Sequence, residues 1–145
     1  MFGRVVANLL GLRPPALQVA ALCLRQRDKK TEVLLVTSRG TGRWIIPKGW
    51  PMNGKTLAQA AAQEAWEEAG AKGKISDTTV GSYTYDKSEE GEAQRLVKVQ
   101  VFPLWVDVLK EDFPEASERK RKWVLPKEAA KLVAEKELKA ILRSL

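Results

Sequence analysis

Three carboxylates, Glu64, Glu67 and Glu68, fall within one short segment, Gln63-Glu64-Ala65-Trp66-Glu67-Glu68-Ala69-Gly70. On a helix they span an arc of about 100°, while Ala58, Ala62, Ala65 and Ala69 form a separate stripe of small side chains suited to close packing. Like charges at i and i+4 repel by about a few tenths of a kcal/mol, so Glu64 and Glu68 gain nothing from each other alone. A divalent cation reverses that sign. Hard oxygen donors in this pattern suit Mg²⁺ or Mn²⁺, ions that keep several waters for a phosphate. A solvated helix face accounts for the eight residues equally well when they are taken alone.

The rest of the chain narrows the chemistry. Histidine is absent from the 145 residues, which removes His-based triads, His-ligated zinc and imidazole bases. Acid and base work must fall to carboxylates, lysine, tyrosine or water on a metal. The net charge of +7 admits nucleic acid, an anionic membrane or a small polyanion as partner. The single cysteine, Cys23, lies in an apolar run, reads as a small core residue, and points to a reducing, cytoplasmic setting. Residues 1–16 read as a tail or short helix ended by Pro14-Pro15, too short to span a bilayer. Self-association through that tail leaves monomer and homodimer both open.

The elements that must position the carboxylates follow from periodicity and punctuation. Strands are expected at Leu17–Leu24 and Glu32–Ser38, joined by a charged turn over Arg25–Thr31, and a short one at Arg43–Pro47. A Gly- and Pro-rich loop then leads to a helix over Ala58–Glu68, with Thr56 and Gln59 as a capping box and Gly70 as a left-handed stop. Further strands are expected at Thr79–Tyr85, at Leu96–Leu109 with a bend near Pro103, and at Trp123–Leu125. A helical region opened by Pro126 closes the chain. Hairpins with separate helices argue for one α/β or α+β domain with mixed strand pairing, over residues 17–145.

Joined to the loop before it, the acidic segment reads GWPMNGKTLAQAAAQEAWEEAGA, residues 49–71. This resembles the signature of the Nudix hydrolases, with Gly49, Glu64, Glu67, Glu68 and Gly70 at the family's spacing. Two positions depart: Lys55 stands where the family has a Glu, and Gln63 where it has an Arg. Those two residues typically support each other by an ion pair, so losing both orphans neither. The resemblance implies the Nudix α/β/α sandwich and Mg²⁺-dependent hydrolysis of a pyrophosphate bond, with Mn²⁺ as the other candidate ion. It implies metal contacts from Glu67, Glu68 and the Gly49 carbonyl, and a metal or water-orienting role for Glu64. It also implies a loop carboxylate as a candidate base, among Glu89, Glu90 and Glu92.

The stretches IIPKGWP, SYTYDK and ERKRKWVLPKEAAKLV are similar to the diphosphoinositol polyphosphate and diadenosine polyphosphate hydrolase branch. A nucleoside diphosphate derivative or either polyphosphate is the implied small substrate. Arg39, Arg43, Lys48, Lys55, Lys87 and Arg95 are the basic side chains expected to meet it. The run Arg119–Lys122 is expected on the surface, which leaves nucleic acid an unlikely partner and a membrane none. The five tryptophans are expected to pack rather than stack on bases, with Trp50 in the signature loop the least typical. Two other readings compete. Residues 49–56, GWPMNGKT, fit a P-loop in which Lys55 and Thr56 would hold phosphate and metal, but Pro51 has no N–H to offer and the three glutamates go unused. A Nudix-like binding module without catalysis, for nucleotide or RNA, fits the two departures.

Overall fold

The computed structural model describes residues 14–90 and 95–145, with backbone only at Glu89 and Glu90. Eight strands form one sheet: β1 (Ala16–Arg27), β2 (Lys30–Thr37), β3 (Trp44–Ile45), β4 (Lys48–Gly49), β5 (Ala71–Ile75), β6 (Gly81–Asp86), β7 (Leu96–Leu109) and β8 (Arg121–Val124). Among the described residues, three α-helices flank it: α1 (Leu57–Ala69), α2 (Pro126–Leu132) and α3 (Lys136–Arg143). The sheet is mixed. Strand β1 runs parallel to β7 from Ala16↔Val97 to Leu24↔Trp105, and the other pairings are antiparallel.

Alternation along β1 builds two cores from one strand. Ala20, Leu22 and Leu24 face a layer completed by Leu138 and Leu142 of α3 and by Ala129 and Ala130 of α2. Val19, Ala21 and Cys23 face the opposite way, onto Ala58, Ala61, Ala65 and Ala69 of α1. This is the period of two expected for a strand buried on both faces, and it yields an α/β/α sandwich. Alanines let α1 approach the sheet closely. The stripe passes through Ala61 rather than Ala62, which is only half-buried. Burial pushes the Cys23 thiol up to about 12, so it is an inert core residue.

One edge of β1 changes partner along its length, and that change opens the cleft described below. Residues Leu24–Arg27 pair with β2, but Val19 and Ala20 pair with Gly49 and Lys48 of β4. Between them the Ala21 N–H donates to the Pro47 carbonyl at 3.0 Å. The loop entering α1 is thereby fixed to the middle of the sheet.

Several expectations shift. The first hairpin is tighter than a turn over Arg25–Thr31, because Asp28 and Lys29 both take positive φ and the strands extend to Arg27 and Lys30. Strand β5 has no counterpart in the sequence reading; its run Ala-Lys-Gly-Lys-Ile carries too few apolar residues to signal a strand. Strand β7 continues through Pro103, paired to β1 and β5, and the closing region is two helices. The expected tail over residues 1–16 falls largely outside the described residues, and Ala16 already belongs to β1.

Helix α1 begins and ends as its sequence predicts. The Thr56 hydroxyl accepts the Gln59 N–H at 3.1 Å and the Gln59 side chain accepts the Thr56 N–H at 2.9 Å. Gly70 ends it at φ 68°, where an added Cβ would sit 2.6 Å from both the Lys110 carbonyl oxygen and the Phe113 ring. Gly70→Ala therefore combines left-handed strain with a clash against backbone, and it should lower the urea-unfolding free energy by about 2 kcal/mol or more.

Candidate active site

A cavity of about 600 Å³ opens where β4 and the loop after it meet α1, and its lining includes Glu64, Glu67, Glu68 and Glu115 together with Arg39, Lys48, Lys87 and Arg119. Strand β4 sets the floor. Gly49 lies so close to Glu64 that a Cβ there would overlap the carboxyl group and push that side chain from its present place. The Lys48 N–H donates to Glu68 Oε1 at 3.2 Å.

Glu68 is only 7% exposed. Burial pushes its carboxyl up to about 6, against the opposing pull of the Arg119 guanidinium and the Lys48 N–H. Arg119 Nη2 stands 3.3 Å from Glu68 Oε2 and donates to Glu115 Oε1 at 2.8 Å, while Nη1 donates to the Thr37 carbonyl at 2.9 Å. One planar guanidinium thus holds two acids and the end of β2 together. Glu64 has no such partner. Burial, then the negative charges of Glu68 and Glu67, push it up to about 8.

That imbalance is what a cation would relieve. Glu64, Glu67 and Glu68 bring carboxylate oxygens to the cavity that Gly49 also lines. Among the described residues, no three His, Cys, Asp or Glu side chains converge into a finished ligand set. The arrangement fits a hard ion such as Mg²⁺, which takes few protein oxygens and fills the rest of its shell with water and phosphate.

The sequence-predicted basic residues divide. Arg39, Lys48 and Lys87 line the cavity, Arg39 lying 3.8 Å from Glu115 and 3.6 Å from Glu118, and Lys87 being buried. Arg95 stands at the rim, 5.3 Å from the centre of the Trp50 ring. Arg43 is turned to the opposite helix layer, where Nη1 donates to Glu135 at 2.8 Å. Lys55 is outside the cavity as well, on the other flank of α1. Of the expected loop bases, Glu92 lies outside the described residues, as do the side chains of Glu89 and Glu90.

Two charged residues of the cavity lining were missed in the sequence: Arg119 and Glu115. The run Arg119–Lys122 looks like a solvated cluster, yet its residues alternate, Lys120 and Lys122 out, Arg119 and Arg121 in. The side chain of Arg119 is 5% exposed. Arg121 Nη1 donates to the carbonyls of Ala69 and Lys110 at 2.9 and 2.7 Å, supplying the positive charge that the last turn of α1 lacks. The available signal was strand alternation continuing upstream of Trp123. The tryptophans are less buried than expected, Trp50 being 41% and Trp105 43% exposed.

The family model described as NUDIX domain matches residues 16–145. The chain belongs to the Nudix family. Nudix hydrolase 12, mitochondrial, of Arabidopsis thaliana is 38% identical over 106 residues, covering 71% of this chain and 52% of the relative. Diphosphoinositol polyphosphate phosphohydrolase 3-alpha of Mus musculus is 35% identical over 119 residues, covering 80% of this chain and 68% of the relative. The chain spans only 52–59% of the length of the three plant relatives it matches. Among solved structures, a C. elegans Ap4A hydrolase superposes with a TM-score of 0.63 at 23% identity, over 90% of this chain and 95% of that one. A Nudix hydrolase from Nitrosomonas europaea gives 0.68 at 20%, over 90% and 87%. These likenesses show the Nudix fold, with the signature helix as α1.

Arg119→Met keeps the stem but removes the charge that the buried Glu68 and the half-buried Glu115 share. It should lower the unfolding free energy by about 3 kcal/mol near neutral pH, read by chemical denaturation.

Proposed function

We propose that the chain hydrolyses a pyrophosphate bond in a small, highly phosphorylated substrate. The carrying observation is that the α1 carboxylates and the basic side chains of Arg39, Lys48 and Lys87 line one cavity. Glu67, Glu68 and the Gly49 carbonyl would hold Mg²⁺ or Mn²⁺, with Glu64 as a further ligand or the group that orients water. The bound ion would neutralise phosphate charge and make an attacking water acidic near neutral pH.

The chain's own residues do the rest. Arg39, Lys48 and Lys87 bind phosphate oxygens, and Arg95 meets them at the rim. Arg119 and the Lys48 N–H keep Glu68 ionised in a buried place. Burial and the neighbouring Glu68 and Glu67 raise the proton affinity of Glu64, and a cation bound beside it would offset that repulsion and leave its carboxylate to ligate the ion or orient water. Glu115 adds a carboxylate to the same wall and is a better-founded candidate base than the acidic loop after β6.

Nucleoside diphosphate derivatives, diadenosine polyphosphates and diphosphoinositol polyphosphates all offer the required linkage, and the last two appear in the names of relatives or structural neighbours. The Lys55 and Thr56 reading of a P-loop loses its support, since the Thr56 hydroxyl is spent capping α1 and Lys55 is not in the cavity. Retention of all three helix carboxylates in the cavity weighs against a binding module. The lone buried thiol suits a cytoplasmic setting, although three plant relatives carry mitochondrial names.

Phosphate and pyrophosphate release with Mg²⁺ over those three substrate classes tests the proposal. Glu68→Gln should reduce kcat by about 100-fold or more, while Lys55→Ala should stay within about twofold. Loss of turnover in Lys55→Ala alone, or no turnover on any substrate, would overturn it.

A further inference from the structure

Three polar side chains of the carboxylate cavity, Gln18, Lys48 and Tyr85, come from three strands and share one face of the sheet. Ala20 of β1 is the partner of Lys48 on β4, so Lys48 lies on the face of β1 that also carries Gln18. Tyr85 of β6 is the partner of Val97 on β7 and belongs to the same core layer as Ala20, Val97 and Val99. Gln18 is the partner of Val99, on the other side of β7 from β6.

The contacts join the three in series. Across two strand spacings, roughly 10 Å, the Tyr85 hydroxyl reaches over β7 and donates to Gln18 Oε1 at 2.7 Å. Both residues are buried. The Lys48 Nζ stands 4.6 Å from the centre of the Tyr85 ring, inside the range of about 6 Å over which a ring face attracts an ammonium. We propose that Tyr85 is a positioning residue: its ring holds the Lys48 ammonium in the cavity for a substrate phosphate, and the Gln18 amide holds the ring. This rests on the phosphate-binding role proposed for Lys48.

Aliphatic side chains would fill this layer with no polar group to satisfy, so packing alone does not call for the hydroxyl and the amide. What they add is a fixed ring. The bond to Gln18 pins the far end of the tyrosine, and its ring face becomes a stationary site for a cation. Lysine needs one, because its four-carbon stem is flexible and its ammonium is a point charge with no preferred direction. A competing place lies close by. Burial raises the Glu68 carboxyl and the Lys48 charge pulls it down, so the ammonium is within electrostatic reach of the acids proposed to hold metal. Drawn fully onto those acids, the lysine would neutralise ligand charge and leave the phosphate one donor fewer. A ring attracts the ammonium without cancelling its charge, which stays available to phosphate.

Two readouts test this, and neither needs turnover. In the ligand-free protein, NMR should show the Lys48 ε-methylene protons shifted upfield by the ring current, with a smaller shift in Tyr85→Phe and none in Tyr85→Leu. Imidodiphosphate would then be titrated with Mg²⁺ by calorimetry into wild type, these two variants, Lys48→Met and Lys48→Met/Tyr85→Leu. Tyr85→Leu should bind about fivefold more weakly than wild type, and Tyr85→Phe, which keeps the ring but loses its anchor, about twofold. The double variant should bind no more weakly than Lys48→Met alone, because the ring acts only through the lysine. An unshifted Lys48 in wild type, a Tyr85→Phe protein as weak as Tyr85→Leu, or losses that add in the double variant would overturn the inference while leaving the phosphate-binding role of Lys48 intact. Wild type that binds no imidodiphosphate would overturn that role and the inference with it.

Discussion

Burying the Glu68 carboxylate beside Glu64 is the constraint on which the rest of the structure turns. Two acids one helical turn apart, one buried and one half-buried, repel each other and lose hydration, and an isolated helix would keep them in solvent. Here the fold compensates one of them and leaves the other poised. The Lys48 N–H and Arg119 hold Glu68, and both arrive from distant parts of the chain. Lys48 is placed by the switch of β1 from β2 to β4, and Arg119 by the approach to β8.

The same arginine-rich stretch secures both ends of that arrangement. Arg119 ties Glu68 to Glu115 and to the end of β2, and Arg121 closes the carbonyl end of α1. Gly70 lets the chain turn away just there, against Phe113 and Lys110. Fold stability and the electrostatics of the cavity are therefore carried by the same contacts. A residue needed to keep a carboxylate charged is also one that keeps the helix in place.

Local signals were legible in the sequence. The capping box of Thr56 and Gln59, the left-handed Gly70 and the apolar runs of β1 and β2 each rest on near neighbours, and each is found in place. The signature spacing brought Gly49 and Glu64 together because a strand, a loop and a helix of fixed length must meet there. What failed was non-local. Arg119 looked like a solvated cation because its partners lie in β2, α1 and its own preceding loop. Arg43 looked available because Glu135 is far away in sequence. Strand β5 forms because β7 and α1 leave an edge for it, not because its own residues demand a sheet.

The central claim is the proposal that Glu67 and Glu68 hold a divalent cation, and a metal titration tests it without reference to any substrate. Free Mn²⁺ would be followed by electron paramagnetic resonance as it is added to wild type, Glu67→Gln and Glu68→Gln. Saturable loss of the free signal in wild type, weakened by about tenfold or more in both variants, is the predicted result. Equal binding in all three proteins, or none in any, would contradict the account.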